Sequence, residues 1–247
     1  MGQERLPKTS LVTGATGGVG RALTRRLISI GSNLWLLGRR ESELLTLKDS
    51  AGKQVSVTVL PGDLRSGDYL AHVARQVCSK TSKIDLLVHC GGQYSTSDWS
   101  SFADSEYSDV FSVNVQAREK LSRDLLAPLV SSQGMIVYLN STVGLRDNGT
   151  PGIYAASMHA MRLAANVLRR EVNPLGVRVL SVFLGRTATP MQERIHRFEG
   201  KPYNPANLIQ AGTVADLILN AFTLPRDAEI TDISITPMAS PKQSNEG

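Results

Sequence analysis

A strand-forming run, Thr9–Thr13, leads straight into Thr13-Gly14-Ala15-Thr16-Gly17-Gly18-Val19-Gly20, and an amphipathic segment follows. Across positions 18–30, Val19, Ala22, Leu23, Leu27 and Ile30 fall on one helical face. Each glycine has a physical use in that setting. Gly14 permits a tight turn, Gly18 lets backbone approach a pyrophosphate, and Gly20 lets the helix pack closely on the strand. The helix start offers free N–H groups and a positive dipole end to a phosphate. A glycine-rich structural turn is the alternative. The position between a first strand and a helix favours the nucleotide-binding reading.

The rest of the chain repeats the strand–helix alternation. Short Val/Ile/Leu runs at 33–37, 55–60, 84–90, 135–140, 177–183 and 230–235 read as strands. They are near-continuously apolar, as in strands covered on both faces. Helical patterns separate them at 41–50, 67–79, 105–130, 153–172 and 214–222; the one over 105–130 is expected to be long, with a break expected near Pro128. This pattern predicts an α/β fold: a single doubly wound parallel sheet of about seven strands, Rossmann type. One domain is expected over residues 1–238, with 239–247 as a flexible polar tail. Segments 91–104 and 186–211 resist assignment. Both follow carboxyl ends of strands, where ligands bind in such sheets.

Composition narrows the partners. The formal charge is +5, but arginine pairs 25–26, 39–40 and 169–170 are scattered, so a nucleic-acid surface is not expected. No apolar run reaches the ~18 residues of a membrane span. The polar start, Met1–Lys8, lacks the apolar core of a signal peptide. Two cysteines make no disulfide framework and no zinc site. The expectation is a cytoplasmic protein without metal, taking a small-molecule substrate.

The end of the second strand reads Leu36-Leu37-Gly38-Arg39-Arg40. A carboxylate there would bind a ribose 2′-hydroxyl, and none is present. Two guanidiniums suit a 2′-phosphate instead, so NADP(H) is favoured over NAD(H). Arg40 alone could equally be a solvated residue before the next helix.

With these features the chain resembles the short-chain dehydrogenase/reductase family from Thr9 to about Met238. The glycine loop fits the family's TGxxxGxG pattern, which gives Gly14, Thr16, Gly18, Val19 and Gly20 a cofactor role beside Arg39 and Arg40. Asp63 and Leu64, after the third strand, fit its adenine-contacting aspartate. His89-Cys90-Gly91-Gly92 stands loosely in place of its NNAG motif, implying cofactor contacts at Cys90, Gly91 and Gly92. Leu184-Gly185-Arg186-Thr187-Ala188-Thr189 stands where a PGxxxT stretch contacts the nicotinamide, through Gly185, Thr187 and Thr189. Asn114 and Ser141 fit the family's catalytic asparagine and serine. Tyr154, thirteen residues after Ser141, fits its catalytic tyrosine. The resemblance also implies a homodimer or homotetramer pairing through helices 105–130 and 153–172.

One departure bears on the chemistry. The family pattern is YxxxK, and this chain reads Tyr154-Ala155-Ala156-Ser157-Met158. Positions 154 and 158 share a helical face. A lysine there would hold the nicotinamide ribose, lower the tyrosine pKa and feed a proton relay. A unit charge about 5 Å away at an effective dielectric of about 20 is worth roughly 3.3 kcal/mol, or about 2.4 pKa units. Methionine supplies none of it. Alcohol oxidation, which needs Tyr154 as a base, should suffer most; reduction, which needs it only to donate, should suffer less. His159 points elsewhere on the helix and Arg162 lies two turns away, so neither is a good substitute. The expected function is an NADP(H)-dependent oxidoreductase of a small carbonyl or alcohol with an altered proton-transfer site. The alternative is a cofactor-binding pseudoenzyme with a sensing or partner role. Tyr94 and Trp99 are candidates for a substrate wall. His196 reads as a solvated lid residue or a substrate contact, and Cys90 as an inert buried thiol.

Overall fold

The computed structural model describes residues 5–97, 100–146 and 152–238; Trp99 and the expected tail, 239–247, lie outside them. Seven parallel strands form one sheet in the order β3-β2-β1-β4-β5-β6-β7. They are β1 (Thr9–Thr13), β2 (Asn33–Gly38), β3 (Val57–Pro61), β4 (Leu86–His89), β5 (Met135–Ser141), β6 (Arg178–Leu184) and β7 (Asp232–Ile235). The expected doubly wound architecture is therefore present.

Helices cover both faces, as a parallel sheet with helical crossovers requires. On one face α1 (Gly18–Ser29), α2 (Glu41–Asp49) and α9 (Ala211–Thr223) bury Leu23, Leu27, Leu44 and Ile218 against Val12, Leu36, Val137 and Val182. On the other, α3 (Gly67–Lys80), α5 (Ala117–Asp124), α6 (Leu126–Ser132) and α7 (Gly152–Val172) bury Val73, Leu121, Leu129 and Met161 against Leu11, Leu87, Ile136 and Val179. Alternating residues of one strand thus feed two cores, so its sequence reads as continuously apolar.

The helix expected over 105–130 is divided. It comprises α4 (Asp104–Phe111), a π-helical turn at Ser112–Gln116, then α5 and α6, with the break at Leu125. Pro128, near which the break is expected, lies three residues past it. It sits in the first turn of α6, where a missing N–H costs no helix hydrogen bond. The unassigned stretch 186–211 contains α8 (Pro190–Phe198). Thr189 caps it, its hydroxyl accepting from Gln192 N at 3.2 Å, and Pro190 opens it.

Candidate active site

The carboxyl ends of the strands open onto one elongated cleft of about 1000 Å³. It crosses the β1–β4 boundary, where the strand order reverses and ligands settle in such sheets. Its walls hold every residue singled out above for catalysis or cofactor binding: Gly14, Thr16, Gly18, Val19, Gly20, Arg39, Arg40, Asp63, Leu64, Cys90, Gly91, Gly92, Asn114, Ser141, Tyr154, Gly185, Thr187 and Thr189.

At one end the β1–α1 turn is as tight as its glycines suggest. Gly14 has φ +62°, and a Cβ on it would lie 2.6 Å from Gly91 N. A Cβ on Gly20 would lie 2.2 Å from the Gly14 carbonyl oxygen, and one on Gly18 2.4 Å from Thr189 Cγ2. The α8 end therefore seats directly on the glycine turn. No side chain caps the start of α1.

The two arginines after β2 differ. Arg40 donates to the Thr16 carbonyl at 2.8 Å and to its hydroxyl at 3.1 Å, and pairs with Glu43 at 2.9 Å, so it braces the glycine turn. Arg39 is exposed on the cleft and is in no ion pair among the described residues. Asp63 is engaged by Arg65 at 2.6 Å; the hydrogen bonds from that guanidinium hold its carboxyl below the usual range.

At the other end, Asn114 is buried within the π-turn, a distortion frequent at functional sites. Its amide carbonyl accepts from Gln93 N at 2.8 Å, and its NH2 group donates to Gln93 O at 2.8 Å and to Ser157 Oγ at 3.0 Å. Ser157 in turn donates to the Tyr154 carbonyl at 2.8 Å. Asn114 thus locks the first turn of α7 to the loop following β4. Asn140 makes a second lock, donating to the Met158 carbonyl at 3.0 Å.

Burial pushes the Tyr154 phenol above its ordinary pKa, against the opposing effects of a Ser141 hydrogen bond and the Arg118 charge. The phenol is therefore protonated at neutral pH. The Tyr94 ring packs on Tyr154 with centroids 4.8 Å apart. Met158 is buried one turn on and lines the cleft with it.

The remaining candidates fall outside the reacting centre or are inert. Burial pushes the Cys90 thiol up to about 12. His89 is fully buried, stacked on Tyr138 and in contact with Ser122 at 3.0 Å; desolvation, with Arg118 nearby, keeps it neutral. His159 and Arg162 are exposed on α7 and do not line the cleft. His196 is neither solvated nor on the cleft wall. It is buried, contacts Gln192 O at 2.9 Å, and packs edge-on against Tyr203. It backs Arg186, whose bidentate pair with Glu199 at 2.8 Å lines the α8 end of the cleft.

A charged cleft residue, Arg118, was not anticipated. Arg118 is 4% exposed, donates to the Leu139 and Gly91 carbonyls at 2.8 Å each, and lines the cleft. It lies four residues after Asn114, on the same helical face, and that spacing is the signal that could have found it.

Fold and cleft define a doubly wound α/β protein with a tyrosine–serine pair facing its switch-point crevice. The particular family follows from comparison: residues 8–200 match the short chain dehydrogenases, and the chain belongs to that oxidoreductase family. It is 25% identical over 232 residues to an uncharacterized oxidoreductase of Staphylococcus epidermidis, covering 94% of this chain and 97% of the relative. It is 28% identical over 237 residues to an uncharacterized short-chain type dehydrogenase/reductase of Sinorhizobium fredii, covering 93% and 91%. Among solved structures, it is similar in fold to an alcohol dehydrogenase of the archaeon Thermococcus sibiricus complexed with 5-hydroxy-NADP. That match has a TM-score of 0.84 and 21% identity, covering 95% of this chain and 99% of that one. A closed serine dehydrogenase complexed with NADP+ matches at TM-score 0.82 and 23% identity, covering 97% of each chain. At these identities the structural likeness carries the fold alone. No helix among the described residues is long and apolar enough to cross a membrane.

Proposed function

We propose that this chain is an NADP(H)-dependent reductase of a small carbonyl compound, with Tyr154 as proton donor. The observation that carries this reading is the protonated, Ser141-bonded phenol of Tyr154 on the same cleft as the glycine turn. Ser141 would hold the carbonyl oxygen, and Asn114 keeps the first turn of α7, and with it Tyr154, in place.

The cleft fits the cofactor. The uncapped start of α1 presents its N–H groups there, beside a glycine turn packed too tightly for side chains. Gly14, Thr16, Gly18, Val19 and Gly20 would hold the pyrophosphate, and Arg39 the 2′-phosphate. Asp63 and Leu64 would flank the adenine. Cys90, Gly91, Gly92, Gly185, Thr187 and Thr189 would line the nicotinamide half. Bound there, NADPH supplies the hydride. Structural neighbours crystallised with NADP or NADPH support this reading.

The protein's own part is to bind the carbonyl, exclude water and deliver a proton. The α8 segment, seated on Gly18 and held by the Arg186–Glu199 pair, lines the cleft. Tyr154, with a raised pKa, starts protonated and transfers its proton to the carbonyl oxygen as negative charge develops there. Met158, in the position the resemblance gives to lysine, supplies no charge and no ribose contact, so we place the working direction at reduction.

Met158 also favours a second reading, a cofactor-binding protein without turnover that serves as a sensor or partner. NADPH oxidation against a broad aldehyde and ketone panel, with cofactor binding measured in parallel, separates the two. Turnover abolished by Tyr154→Phe supports the reductase; tight binding without turnover supports the sensor. The exposed Leu163 (65%) and Val167 (37%) on α7 support a homodimer or homotetramer through that helix. The unpaired Cys78 and Cys90 support a reducing, cytoplasmic setting.

A further inference from the structure

Arg118 raises a physical question. Burying a guanidinium is costly unless it is matched by an opposite charge. Here two neutral carbonyls, of Gly91 and Leu139, hold its Nη atoms, and Nε has no partner. No ion pair joins it to a carboxylate among the described residues. Arg118 shares the cleft wall with Tyr154, Asn114 and Cys90, and its charge is felt by the phenols of Tyr154 and Tyr138 and the Cys90 thiol. Burial lowers its pKa, but an arginine stays charged in a protein. The result is a fixed cation in the cleft wall with neutral neighbours.

The surroundings identify which neighbour the charge serves. Tyr138 bonds Ser122 at 2.7 Å beneath the sheet and is 1% exposed, away from any ligand. Cys90 is pushed up by burial and remains a thiol. Tyr154 is the neighbour that opens to the cleft and bonds Ser141. We propose that Arg118 supplies the fixed positive charge against which Tyr154 gives up its proton, taking over from α5 the electrostatic task that Met158 leaves undone on α7. As the proton leaves the Tyr154 Oη for the substrate oxygen, the phenolate left behind is stabilised by the guanidinium, which itself exchanges no proton. Arg118 is thus a positioning residue acting through Tyr154.

The other groups near Tyr154 do not duplicate this charge. Ser141 contributes only a neutral hydrogen bond. Tyr94, packed on the ring, is itself raised by burial and by the Glu199 charge, with Arg186 opposing. Arg186 is neutralised by Glu199. His89 is held neutral.

The inference rests on Tyr154 as the proton-transferring group, and its test needs no turnover, so the two fail separately. Fluorinated tyrosine, incorporated throughout, brings phenol ionisation into a range where the fold survives. Fluorine NMR then follows Tyr154, assigned by loss of its resonance in Tyr154→Phe. Arg118→Gln should raise that ionisation by roughly one to two pH units, and Arg118→Lys should restore most of the difference. An unmoved Tyr154 in folded Arg118→Gln overturns the proposal.

If Arg118→Gln does not fold, a comparison that keeps Arg118 decides. A carboxylate facing a cation has a depressed pKa and stabilises the fold above its unfolded pKa, losing that contribution as pH falls. Tyr154→Glu should therefore gain stability over Tyr154→Gln between about pH 4 and about pH 7. A loss of stability over that interval shows an uncompensated buried carboxylate and overturns the proposal.

Discussion

Asn140 donates its side-chain amide to the backbone carbonyl of Met158 at 3.0 Å, tying the end of β5 to α7 one turn beyond Tyr154. The α7 backbone is thus held by a partner indifferent to which side chain occupies position 158. Met158→Lys should consequently keep the fold while placing a second cation near Arg118. Carbonyl reduction by the natural protein should lie within about tenfold of that variant, because Arg118 already supplies most of the charge. A rise above about a hundredfold would mean that the Tyr154 site of the natural protein lacks its cation.

The raised pKa of Tyr154 sets the pH dependence. The proton donor is fully protonated below its pKa, so reduction should be flat from about pH 6 to about pH 9. Oxidation of the corresponding alcohol needs the phenolate and should climb throughout that interval without a plateau. Initial rates in both directions, at saturating cofactor, check this. A plateau of oxidation near neutrality would show a depressed phenol.

Arg39 and Arg40 should separate by cofactor. Arg39→Ala, losing a free guanidinium on the cleft, should weaken NADPH binding by about tenfold or more and leave NADH binding unchanged. Arg40→Ala removes the bonds to Thr16 and should weaken both cofactors alike. Cofactor fluorescence titrations distinguish the patterns; equal losses in Arg39→Ala would assign the 2′-phosphate elsewhere.

Gly18 and Thr189 should be coupled. A Cβ at position 18 would lie 2.4 Å from Thr189 Cγ2, so Gly18→Ala should unseat α8 and weaken cofactor binding by tenfold or more. Thr189→Ser removes that methyl and keeps the hydroxyl that caps α8. The double variant should recover part of the loss, read as a double-mutant cycle in binding free energy. Additive losses would mean that the two sites act independently.

The sheet and the glycine turn were legible because their determinants are local: apolar runs of strand length, and glycines at fixed offsets from a strand end. Pro128 marked a break in the helix over 105–130, but the π-turn did not show, because the apolar period barely changes through Val113-Asn114-Val115, where it adds a residue. Thr189-Pro190, a cap followed by a first-turn proline, did announce α8, but the polar stretch around it hid the signal. Arg118 was missed for another reason, since its spacing from Asn114 marks a helical face but not its burial. Its partners Gly91 and Leu139 lie 27 and 21 residues away, and only the fold brings those carbonyls to it. His196 was misread similarly, since its burial comes from Tyr203 and Arg186.

The most direct test of the account is NADPH oxidation by the natural protein and by Tyr154→Phe across a broad aldehyde and ketone panel. Measurable turnover of at least one carbonyl class is expected, with a loss of about a hundredfold or more in Tyr154→Phe and NADPH binding unchanged. Turnover that survives in Tyr154→Phe would contradict it.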